Sequence, residues 1–227
     1  MMKNKRRDFI KQAGMYVGSL ALTSLFPSIT LEENRKKFDF DISLAQWSLH
    51  KALFGGAITT LDFPKIAKTT YNISAVEYVN QFFKDKANDA LFLKQLKTQC
   101  DDHGVKSVLI MVDQEGSLAA VDDKERKEAV ENHYKWVEAA KFLGCHAIRV
   151  NLHGEGTEDQ WKAASIDGLG QLVEFGANQD ISIIVENHGQ WSSKGNILAE
   201  VIKTVNSKYC GTLPDFGNFC VRRRDGD

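Results

Sequence analysis

The sequence has little of what marks several common protein classes. Its four cysteines form no C-x-x-C pair and have no histidine at zinc-finger spacing, which sets aside a structural zinc site. Cys145 and Cys210 instead begin apolar, strand-like runs, where a cysteine reads as a small buried hydrophobe, and no pair is nominated for a disulfide. Only three of 227 residues are proline and 43% are hydrophobic, a balance that excludes a disordered chain and provides for one domain with a substantial core. No G-x-G-x-x-G turn follows the first strand-like run, which counts against a dinucleotide-binding fold. A positive surplus is lacking too: net charge is -1, residues 1–30 carry four net positives, and the remaining -5 argues against a nucleic-acid surface.

The positives at the start have a different meaning. "NKRRDFIK" leads into the apolar "AGMYVGSLALTSLF", the order of a charged region and a hydrophobic region in an export signal. Arg6-Arg7 followed by Phe9, Ile10 and Lys11 resembles a twin-arginine signal, which implies the export machinery as a partner and a periplasmic destination. An amphipathic helix is the alternative, but residues 13–26 are apolar or small on every face. The run is short and rich in Gly, Ser and Thr for a permanent membrane span. Retention as an uncleaved anchor stays open, because no clear small-x-small cleavage site follows. Residues 1–30 are therefore set apart as a signal, with the domain proper from 38 to 227.

Within that domain, short apolar runs alternate with longer amphipathic ones. Strands are expected within 40–49, 73–82, 105–113, 146–153, 181–188 and 209–216, about 30 to 40 residues apart, the spacing of repeated βα units. Helices are expected between them. One starts with Asp62 as N-cap and Pro64 in its first turn; another, over 122–144, places Val130, Tyr134, Val137 and Phe142 near one face and ends at Gly144. Regular βα repetition without a glycine-rich first turn fits an α/β fold of the TIM (β/α)8-barrel type. A closed barrel needs eight units, and about six are visible here, so an incomplete barrel lacking its last two βα units is expected, as in a fragment of a longer protein. The terminal "RRRDGD" reads as a solvated loop.

Strand alternation puts residues two apart on one face. Glu186 and His188 thus share a face at the end of the fifth run with Asn187 on the other, and Arg149, Asn151 and His153 share one on the fourth. On the second run Glu77 precedes a polar end, Asn80-Gln81; Asp215 stands at the exit of the sixth, beside the loop glycine Gly217. In a barrel of this type chemistry is built at the carboxyl ends of the strands. Carboxylates from neighbouring strands with an imidazole nearby suit a hard or borderline divalent cation. Arg149, if buried, requires a carboxylate partner. Trp136 and Trp161 fall in helical stretches and read as packing residues.

The segments "VEYVNQFF", "EAVENHYKW", "AAKFLGCHAIRVN", "IIVENHG" and "LPDFGNF", in this order and spacing, resemble the sugar phosphate isomerase/epimerase family. These are xylose-isomerase-like barrels that also include apurinic endonuclease relatives, and the resemblance runs from about residue 38 to the end. It implies that Glu186 and Asp215 ligate a divalent cation (Mn, Mg, Co or Zn). It also implies a His or Lys on a seventh strand and a Glu on an eighth, neither of which this sequence contains. Glu186 becomes the catalytic candidate; His188, His153 and Glu77 are candidates for contacts to substrate hydroxyls, and Trp47 and Trp191 for packing on a sugar face. The plainer alternatives are a charge network at the barrel rim for Glu186 and Asp215, and a backbone hydrogen bond for His188.

The implied activity is metal-dependent isomerisation or epimerisation of a small-molecule sugar by proton transfer α to a carbonyl, through an enediolate. A lyase, dehydratase or hydrolase acting on oxidised sugars or glycosides in the same barrel is the alternative. An apurinic-site endonuclease would need basic phosphate-binding loops, which the charge of -5 opposes. A noncatalytic sugar-binding barrel would show no stoichiometric cation.

Overall fold

Short apolar runs, bounded by polar or glycine-rich segments, become parallel strands because helices cover one face and strand neighbours satisfy the backbone. The computed structural model describes residues 40–219; the signal expected at 1–30 and the terminal "RRRDGD" lie outside the described residues. Contacts divide the chain between Phe40 and Asp41, and the helices and strands of the described residues belong to the second unit. The strands are β1 (Leu44–Ala45), β2 (Ala75–Val79), β3 (Lys106–Met111), β4 (Ala147–Asn151), β5 (Ser182–Glu186) and β6 (Cys210–Leu213). Each lies inside one of the six expected runs. The helices are α1 (His50–Phe54), α2 (Phe63–Tyr71), α3 (Ala90–His103), α4 (Asp123–Leu143), α5 (Glu158–Asn178) and α6 (Gly195–Val205).

The sheet order is β1-β2-β3-β4-β5-β6, all parallel. Among the described residues β1 and β6 do not pair with each other, so six parallel strands with the helices between them form an open arc of a TIM barrel. Strand parity divides the residues. Val76, Tyr78, Ile110, Ile148, Val150, Ile183 and Val185 are fully buried in the apolar core with helix residues such as Leu96, Val137, Leu169 and Val201. The opposite parity brings Glu77, Arg149, Asn151 and Glu186 to the concave face. Register places Asn151 beside Glu186, and Glu186 beside Leu213.

Helix ends follow local chemistry. Asp89 and Asp122 accept the Phe92 and Glu125 N–H groups, and Thr157 with Gln160 forms a reciprocal capping box. Asp62 takes the N-cap position, as expected, but not the N-cap bond. Its backbone is already helical (φ -79°, ψ -21°), and its carboxylate turns back to the Thr59 N–H and hydroxyl. In α4, Val130 and Val137 are buried and Gly144 ends the helix at φ 77°, but Phe142 is 45% exposed. Five residues beyond Val137, it is rotated roughly 140° off the buried stripe.

The β3–α4 loop is packed down over the strand ends. Leu118 and Ala119 are fully buried, the Ala119 N–H donates to the His153 carbonyl at 2.9 Å, and Arg126 donates to the Ala120 carbonyl at 2.7 Å. Two glycines permit this approach. A Cβ on Gly154 would lie 2.0 Å from the Ala119 carbonyl oxygen, and one on Gly168 2.1 Å from that of Leu118.

Candidate active site

The concave face opens into a cleft of about 1080 Å³ at the carboxyl ends of the strands. Asp113, Arg149, Glu186 and Asp215, from β3, β4, β5 and β6 or their exits, all line it. They are linked in series. Asp113 Oδ1 accepts from Arg149 Nη1 at 2.7 Å and from Asn151 Nδ2 at 2.8 Å. Arg149 Nε lies 2.9 Å from Glu186 Oε2, an ion pair in which the N–H is not aimed at the oxygen. The Asn218 amide then donates to Glu186 Oε1 and to Asp215 Oδ2, at 3.1 Å each. Two of the three carboxylates, Asp113 and Glu186, thus share one guanidinium, the third, Asp215, joins through Asn218, and Arg149 and Glu186 are buried. Excess negative charge in a partly desolvated cleft favours an added cation.

The main chain around this series is fixed. Asn187, fully buried on the face opposite Glu186, bonds both backbone groups of Asp215. Gly217 N–H donates to Asp215 Oδ1 at 2.7 Å, which sets the turn that returns Asn218 to Glu186. Asn80 bonds both backbone groups of Asp113 in the same manner, and Gln81 Nε2 reaches Asp113 Oδ2 at 3.3 Å.

His153 and His188 stand at the mouth with ring centroids 6.0 Å apart, edge to face, and both line the cleft. The His153 imidazole is held below its ordinary pKa, first by desolvation, then by the neighbouring His188 and Arg149, with Asp113 opposing. Trp47, 48% exposed, lines the cleft and stacks on His50 at 5.0 Å. Two expected residues stand elsewhere. Glu77 is half-buried, accepts a hydrogen bond from Ser43 Oγ and does not line the cleft, because it is two residues deeper along β2 than Val79. Trp191 lines an adjoining groove with Glu155, Gln190 and Lys194, and the Lys194 ammonium lies 3.9 Å above its ring.

Sequence reasoning missed Asp113 and Asn218. Asp113 closes an apolar run at the same place, two residues past its strand, as Asp215 does, which was a usable signal. Asn218 is brought in by a tight turn, which alternation along a strand does not describe. Among the described residues, no three or more His, Cys, Asp or Glu side chains gather around one point. Glu186 and Asp215 meet at the Asn218 amide, from which each accepts a hydrogen bond.

A family profile described as xylose isomerase-like TIM barrel matches residues 66–227. No curated protein matches the sequence. Among solved structures, a 3-keto-D-glucoside 4-epimerase from E. coli is similar with a TM-score of 0.61 at 12% identity, over 72% of this chain and 65% of that one. The IolI protein with a zinc atom bound gives 0.65 at 16% identity, over 80% of this chain and 65% of that one. A probable 3-DHS dehydratase, AsbF, from Bacillus anthracis gives 0.63 at 16%, over 78% and 63%. At these identities the likeness is one of fold. The chain spans 63% to 65% of the length of these three structures.

Proposed function

The chain belongs to the xylose isomerase-like TIM barrel family, and we propose that it acts as a sugar isomerase or epimerase that uses a divalent cation held by Glu186 and Asp215. The observation that carries this reading is the convergence of those two carboxylates, from adjacent strand ends, on the single nitrogen of Asn218. Two oxygen donors aimed at one point, with a surplus of negative charge around them, fit a hard or borderline cation and provide two of its ligands. The cation, when bound, would supply Lewis acidity toward a substrate carbonyl.

The chain's own residues would contribute as follows. A carboxylate at Glu186 accepts the proton from the carbon α to the carbonyl, and the C–H pair moves toward the carbonyl oxygen, giving an enediolate. Return of the proton to the neighbouring carbon, with the hydroxyl proton moving to the former carbonyl oxygen, isomerises the sugar; epimerisation requires that a second acid deliver a proton to the opposite face of the same carbon, a role that the family resemblance gives to the Glu of an eighth strand. Arg149, ion-paired with Glu186 Oε2, orients that carboxylate. His153 and His188 reach substrate hydroxyls from the rim, His153 as a largely neutral ring that can donate or accept. Trp47 offers an apolar face to a sugar ring. Export through the Arg6-Arg7 signal favours a free sugar or glycoside over a phosphate ester as substrate.

Solvent exchange tests the reading. With sugar in deuterated water, the full-length enzyme incorporates deuterium at the carbon α to the carbonyl without loss of water, and Glu186→Gln abolishes the exchange. A dehydratase, which the likeness to AsbF keeps as the second reading, would release water and give an unsaturated product. Absence of both outcomes across keto and aldo sugars would reject both.

A further inference from the structure

The nitrogen of Asn218 stands 3.1 Å from Glu186 Oε1 and 3.1 Å from Asp215 Oδ2, so the two oxygens are no more than twice that distance apart. A neutral –NH2 group therefore fills the gap between two carboxylates, one N–H directed to each. The reversed amide would set its oxygen against two carboxylate oxygens, acceptor facing acceptor, so the network fixes the orientation. An amide nitrogen in this orientation has no lone pair for a metal ion. It mimics the charge complement of a cation without permitting one to enter.

The geometry points to Asn218 as an intramolecular stopper of the cation site: its amide occupies the space between Glu186 and Asp215 and must leave before a divalent ion can bridge them. This rests on the proposed reading of that pair as cation ligands. The amide is free to leave. Among the described residues its Oδ1 makes no hydrogen bond, and it follows the turn at Asp215–Gly217, where Phe216 is 90% exposed. Glu186 stays behind, fixed by Arg149, and Asp215 stays behind, fixed by Asn187 through its backbone. The site thus has two states, amide in and amide out, and apparent cation affinity is the intrinsic affinity multiplied by the fraction of molecules with the amide out.

The test is a titration of the full chain with Mn²⁺, free ion being counted by electron paramagnetic resonance, for wild type, Asn218→Ala and Asn218→Lys. Asn218→Ala empties the gap and is expected to bind Mn²⁺ about tenfold more tightly, the size of a hydrogen bond to a charged group. Asn218→Lys puts an ammonium in the gap and is expected to lose Mn²⁺ binding. Binding by Asn218→Ala where wild type shows none would support the stopper still more strongly. Equal or weaker binding by Asn218→Ala overturns it, while retained wild-type binding leaves the cation reading intact. No binding by wild type or Asn218→Ala overturns both.

Discussion

The side chain of Asn187 holds Asp215 by its backbone: Oδ1 accepts the Asp215 N–H at 2.7 Å, and Nδ2 donates to the Asp215 carbonyl at 2.9 Å. Asn80 holds Asp113 in the same way, at 3.0 Å and 2.8 Å. Each asparagine is buried and lies one residue beyond a strand, and each aspartate lies two residues beyond the next strand. The device serves both needs of a strand exit at once. It satisfies backbone groups that have left the sheet, and it fixes an acidic side chain against the cleft.

Removing one clamp at a time separates these two effects. Asn187→Ala and Asn80→Ala each strand a backbone donor and acceptor and should lower unfolding free energy by about 1–3 kcal/mol in urea titrations. Asn187→Ala should also weaken Mn²⁺ binding several-fold, because Asp215 loses its fixed position. Asn80→Ala should change Mn²⁺ affinity less than about twofold.

Arg149 balances two carboxylates from a position that is 6% exposed. Arg149→Met leaves Asp113 and Glu186 without their shared cation in a desolvated site, and a loss of about 3–5 kcal/mol is expected from chemical denaturation. Arg149→Lys should recover only part of this, since an ammonium is a single point charge and does not span both acids as the guanidinium does.

Acid should destabilise the fold through His133, which is 3% exposed with Nδ1 2.7 Å from the Ala129 carbonyl. Burial holds its pKa below the ordinary histidine value. The unfolded chain therefore takes up a proton near pH 6.5 that the folded chain refuses, and stability falls as pH drops below about 6.5 toward the folded-state value. The slope from one such group is at most about 1.4 kcal/mol per pH unit. His133→Gln should flatten the fall in unfolding free energy between about pH 6.5 and 5; an unchanged slope would remove His133 from the explanation. His153, depressed in the same direction, adds a smaller contribution from its exposed position.

The strands were legible because burial on the core side writes itself as apolar runs, and the βα spacing followed from the same pattern. Glu186, His188, Arg149, Asn151 and His153 could be placed by parity along β4 and β5, and they do line one cleft. Parity along β2 put Glu77 on the concave face but said nothing of depth, so its distance from the mouth went unread. Phe142 is expected near one face of α4 with Val130, Tyr134 and Val137, but the 100° turn per residue takes it away from that face. Asn218 and the Asn80–Asp113 clamp depend on loops that cross from one strand exit to the next. Such contacts join residues about 30 positions apart and leave no periodic trace.

The most direct measurement is the number of Mn²⁺ ions bound per chain by the wild-type protein, Glu186→Gln and Asp215→Asn at neutral pH, with circular dichroism to verify that each remains folded. One ion bound by wild type and at least about 100-fold weaker binding in both variants is the expected result, since each carboxylate is a direct ligand and even outer-shell changes cost about 10- to 100-fold. Undiminished binding in either variant would show that Glu186 and Asp215 do not grip a common ion.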